Sequence, residues 1–89
     1  IYEIAKLELS ALQKREGIQL RNLTLEFGDG IVELVSTEGF DSLYGARALQ
    51  RVIEHRVVSI MARFLLTNPK IKNTTLYINA EKSDVTITE

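Results

Sequence analysis

Apolar residues recur at helical spacing in three segments of this chain and at strand spacing in three others. Over residues 1 to about 16, Tyr2, Ala5, Leu9 and Leu12 share one face at i, i+3, i+7 and i+10. Ile1 and Ile4 lie beside that face, and the polar run Gln13-Lys14-Arg15-Glu16 follows, with Gly17 as the expected helix stop. No capping side chain opens this segment, so the helix is expected to continue upstream of Ile1. Residues 23–27 alternate Leu-Thr-Leu-Glu-Phe, which predicts a short strand burying Leu23, Leu25 and Phe27. Gly28-Asp29-Gly30 interrupts the chain, and Asp29 is the expected N-cap of a helix over residues 30–38. Ile31, Leu34 and Val35 form its inner stripe, and Gly39 ends it.

The longest segment runs from about Ala46 to Thr67 and is stopped by Asn68-Pro69. Its apolar seam is Leu49, Ile53, Val57, Ile60 and Phe64, with Met61 alongside, and its polar face holds Arg47, Arg51, Glu54, His55 and Arg63. Beyond a polar connector, Leu76, Ile78 and Ala80 alternate with Tyr77 and Asn79. Glu81-Lys82-Ser83-Asp84 then turns the chain into a last strand with Val85 and Ile87. The predicted order is α-β-α-α-β-β: an α/β (α+β) fold with three helices packed on a small three-stranded sheet.

Length makes this one domain, residues 1–89, with a modest core. Hydrophobic residues at 45% and charged residues at 26% fit a globular chain rather than a disordered one. No apolar run approaches the roughly 20 residues that cross a bilayer, so no membrane partner is expected. A net charge of −1 argues against non-specific nucleic-acid binding. The absence of cysteine removes disulfides and thiolate chemistry and fits a reducing compartment. Asn22-Leu23-Thr24 and Asn73-Thr74-Thr75 match the glycosylation sequon and are read as chance.

Catalytic chemistry finds little support. No glycine belongs to a Gly-x-x-x-x-Gly-Lys-Ser/Thr loop. His55 is the single histidine, which rules out paired-histidine metal ligation, and it reads as solvated surface or as an interface or ligand contact. The informative stretch is Gly39-Phe40-Asp41-Ser42-Leu43-Tyr44-Gly45-Ala46-Arg47-Ala48-Leu49-Gln50-Arg51, a turn opening into the longest helix. It sets two arginines one helical turn apart at a helix start. Cations there oppose the helix dipole by about 0.3–1 kcal/mol, and like charges four residues apart add a few tenths. Two compensations are open. Arg47 and Arg51 pair with Asp41, Glu38 or Glu54, or they meet an anion, which helix N-termini bind readily. Asp41 is placed to cap the turn Ser42–Tyr44, and Tyr44 to pack its ring behind the corner.

That motif, Gly-Phe-Asp-x-x-Tyr-Gly-Ala-Arg-x-Leu-x-Arg, resembles the sensor-two motif of the Clp family of AAA+ unfoldases, most closely the C-terminal end of ClpB-type disaggregases. The likeness is densest over residues 39–51 and extends more loosely in element order to about residue 87. It implies the small α/β domain that follows the second ATPase core, in which Arg47 senses the phosphates of ATP held by that core. Gly45 and Ala46 would keep the corner small enough for the core to approach, with Asp41 and Tyr44 as support. Arg51 is either a second phosphate-side cation or an interface ion pair. Members usually carry proline and lysine where this chain has Ala48 and Gln50, and residues 17–22 look like a short insertion.

The resemblance further implies a parent protein that is an intracellular ring hexamer, in the cytoplasm or an organelle matrix. It would hydrolyse ATP with magnesium and remodel unfolded or aggregated protein. The partners of this domain would be its own large AAA+ domain and the neighbouring subunits. The isolated domain is expected to be no enzyme and to bind ATP weakly. The competing class is a stand-alone α/β module for RNA or peptide. It is disfavoured by the negative charge and by having only Phe27 and Tyr77 as strand aromatics.

Overall fold

A computed structural model describes residues 2–39 and 46–89. Helix α1 spans Tyr2–Ser10 and tightens into a 3-10 turn, Ala11–Lys14. A short α2, Glu16–Leu20, precedes strand β1, Thr24–Phe27. Helix α3 is Asp29–Gly39. The long helix consists of α4, Ala46–Ile53, a π turn, Glu54–Val58, and α5, Ser59–Thr67. Strands β2, Thr75–Glu81, and β3, Asp84–Thr88, complete the chain. The expected α+β fold is present, with one more short helix than the sequence pattern predicts.

The sheet order is β1-β2-β3. β1 runs parallel to β2, with Leu25 opposite Leu76, as a helical crossover between them allows. β2 and β3 are antiparallel, joined through Lys82 and Ser83 at φ 50° and 71°. Positive φ at both central residues is the two-residue hairpin geometry that matches strand twist. Leu25, Leu76 and Ile78 face the helices and are buried, together with Ala5, Leu9, Ile31, Val35, Leu49 and Val57.

The first helix departs from expectation. It does not run to Glu16 and stop at Gly17: the break is at Arg15, extended at φ −64° and ψ 142°, and Gly17 lies inside α2. Reversing the chain there buries Ile18, which a continued helix would not bring to the core. Gln13 explains why the edge of β1 tolerates this path. Its Nε2 donates to the Leu23 carbonyl at 2.7 Å, and its Oε1 accepts from the Leu25 amide at 2.6 Å. One side-chain amide thus pairs the strand edge as a neighbouring backbone would. Asn22 and Asn73, the two sequon asparagines, sit in left-handed turns at φ 52° and 53° and share a 2.9 Å side-chain hydrogen bond. Asparagine tolerates that conformation better than most residues.

At the start of α3 the expected cap is also different. Asp29 lies within the first turn and accepts from the Tyr2 hydroxyl at 3.4 Å. Partial burial, then the Asp29 charge, pushes the Tyr2 phenol above its usual pKa. The Ile31 amide is instead capped by Asn79 Oδ1 from β2, at 3.2 Å. That approach needs a bare backbone: a Cβ on Gly30 would lie 2.3 Å from the Ala80 carbonyl oxygen. Val32 joins Ile31 and Val35 in the core, while Leu34 is only half-buried.

The long helix holds a second correction. Its buried seam is Leu49, Ile53, Val57 and Met61, whereas Ile60 and Phe64 are half-buried. Four-residue steps overshoot an α-helical turn by about 40° each, so such a seam would drift off the core. The π turn, where the Ser59 amide bonds the Glu54 carbonyl five residues back, underwinds the middle step and restores the phase. The helix ends as expected, with Asn68 Nδ2 donating to the Phe64 carbonyl at 2.9 Å.

Candidate functional site

Arg47 and Arg51 lie in α4 one turn apart, so they share a face, and both are exposed. Leu49 and Ile53, on the other side of the same helix, fix that face by burying theirs in the core. Gly39 makes the packing close. A Cβ there would stand 2.9 Å from the Leu49 Cα, so α3 and α4 cross almost backbone to backbone.

The arginines overlook a cleft of about 510 Å³ between α4 and the end of α1. Leu12 and Ile53 form its apolar floor, and Arg15, Arg47, Arg51, Glu8 and Glu54 supply its charges. Arg15 was not anticipated as a site residue. It reaches the cleft from the break between the 3-10 turn and α2, and it is ion-paired with Glu54. No spacing rule links two positions so far apart in the chain, so the sequence carried no signal for it.

Two carboxylates that could neutralise Arg47 and Arg51 are engaged elsewhere, while Glu8 lines the cleft with no ion pair among the described residues. Glu54 pairs with Arg15, and Glu38 pairs with Arg56 at 3.3 Å. Arg56 also donates to the Ser83 carbonyl, tying the π turn to α3 and to the β2–β3 hairpin. Among the described residues, neither Arg47 nor Arg51 comes within ion-pair distance of a carboxylate. Asp41, Tyr44 and Gly45 lie outside the described residues. Ala46 begins α4, but its side chain is likewise outside them. His55 is exposed on the π turn. Among the described residues no cluster of three His, Cys, Asp or Glu side chains could hold a metal, and no helix is long and apolar enough to cross a membrane.

What the cleft offers chemically is three guanidinium groups, interleaved with the carboxylates of Glu8 and Glu54, over a small apolar floor. Residues 1–78 match the family described as the C-terminal, D2-small domain of ClpB protein, a span that includes the whole cleft. This chain belongs to the ClpB D2-small family. A chaperone protein ClpB from Rickettsia typhi is 30% identical over 87 residues, covering 98% of this chain and 10% of the relative. A second, from Gloeobacter violaceus, is 32% identical over 78 residues, covering 88% of the chain and 9% of the relative. An ATP-dependent Clp protease ATP-binding subunit ClpA homolog from Trieres chinensis is 33% identical over 87 residues, covering 98% and 10%. The chain spans about a tenth of the length of these relatives. Membership in the ClpB D2-small family supports a chaperone AAA+ C-terminal domain.

Proposed function

We propose that this chain is the small C-terminal subdomain of the second ATPase module of a ClpB-type chaperone, and that Arg47 contacts the phosphates of ATP bound by the adjoining large domain. The observation that carries the reading is the pair of exposed arginines at the start of α4, with Glu38 and Glu54 held by other cations. A guanidinium is permanently charged and forks across two oxygens, so it can stabilise a terminal phosphate and the charge that develops on it. ATP and its magnesium would be held by the large domain; this chain supplies the arginines.

Mechanically, the arginine tip and the core are one body. The Leu49, Ile53, Val57 and Met61 seam anchors the helix, and the Gly39 crossing locks it to α3. A change in phosphate contact at Arg47 would therefore move the whole domain rather than one side chain. In the complete protein that motion would reach neighbouring subunits of a hexamer and couple ATP hydrolysis to remodelling of unfolded or aggregated polypeptide inside the cell. Asp41, Tyr44, Gly45 and Ala46 would shape the corner before Arg47, and Arg51 would be a second cation toward the phosphates.

The test is Arg47→Ala in the complete protein. ATP turnover should fall at least about tenfold, as when a donor to a developing charge is removed, with the melting temperature unchanged. The chain alone should not hydrolyse ATP. Wild-type turnover in the variant, or hydrolysis by the isolated chain, would refute the reading.

A further inference from the structure

The cleft contains a charge arrangement that Arg47 alone does not explain. Glu54 is three residues beyond Arg51 on the same helix, a spacing at which side chains of opposite charge meet. Left to itself, that carboxylate is the natural partner of Arg51. In the structure it is turned instead to Arg15, which comes from a different element and lines the same cleft. The chain break that carries Arg15 there is the one the sequence pattern did not predict.

We propose that Arg15 is a positioning residue of the cleft: it holds the Glu54 carboxylate away from Arg51, so that Arg51 stays available, beside Arg47, for an anionic phosphate ligand. This rests on the nucleotide-facing reading above and adds a residue and a role to it. Arg15 acts through Glu54 and touches no ligand itself. The two side chains are 46% and 54% exposed, so the pair is a solvated one, and its loss shifts a competition rather than unfolding the domain.

The experiment measures KM and kcat for ATP in the complete protein for Arg15→Gln, for Arg15→Gln with Glu54→Gln, and for Arg47→Ala. Arg15→Gln should raise KM about two- to fivefold, the range of an exposed ion pair, with kcat unchanged. Neutralising Glu54 in the double variant should return KM to the wild-type value, because the competing carboxylate is then gone. The melting temperature, measured in parallel, should not move. An Arg15→Gln protein with wild-type KM overturns the proposal if Arg47→Ala is impaired. A raised KM that Glu54→Gln does not relieve also overturns it, since Arg15 would then act directly or through the fold. If Arg47→Ala is itself as active as wild type, the nucleotide-facing reading fails, and the role of Arg15 falls with it.

Discussion

The two ends of the helical layer are built on opposite terms. Where α3 meets the sheet, contacts are short and unforgiving: Gly30 lies against the Ala80 carbonyl, and Asn79 caps Ile31 from a neighbouring strand. Where α4 begins, the side chains that face outward are long, charged and exposed, and the nearest ion pair is a solvated one. The first region spends its chemistry inside the fold. The second leaves its guanidinium donors to solvent and, on the proposed reading, to a phosphate. Substitutions in the first should therefore cost stability, and substitutions in the second should cost function.

The largest expected effect is at the link between the two regions. Leu49 is fully buried and carries the α3–α4 crossing, so Leu49→Ala should destabilise by about 2–5 kcal/mol in chemical denaturation. Next is Gly30→Ala. Its added Cβ meets a backbone oxygen that cannot swing aside, and a loss of about 1–3 kcal/mol should appear as a lower denaturation midpoint. Asn79→Ala removes a capping acceptor and should cost about 1 kcal/mol. At the small end, Arg47→Ala should change stability by less than about 0.5 kcal/mol, as exposed positions usually do. A Gly30→Ala protein as stable as wild type, or an Arg47→Ala protein that unfolds easily, would erase the contrast between the regions.

The same division explains what could be read from the residues alone. Alternation gave β1 with its buried Leu25 and the buried Leu23 just before it, although Phe27 is only half-buried, and the Lys82-Ser83 turn followed from the polar run between two strands. Arg47 and Arg51 stand out as candidates because they contradict a local rule at a helix start. The break at Arg15 was not, because neither glycine nor proline marks it, and the nearest local signal, Gly17, pointed two residues downstream. Burial of Ile18 and the Gln13 amide on the β1 edge decide the path there, and both are tertiary effects. The seam was misread at Ile60 because an unbroken 3.6-residue period favours it over Met61. Only the π turn, which leaves no mark in residue type, places Met61 inside. The Asn79 cap was hidden for a similar reason: Asp29 satisfied the local pattern, while the working acceptor sits on another strand.

The most direct measurement is ATP turnover in the complete protein carrying Arg47→Lys beside Arg47→Ala. Lysine keeps the charge and gives up the two-pronged donor geometry. If Arg47 meets a phosphate, the lysine protein should recover only part of the activity lost in the alanine protein, with both as stable as wild type. Turnover at the wild-type rate in both variants would contradict the account.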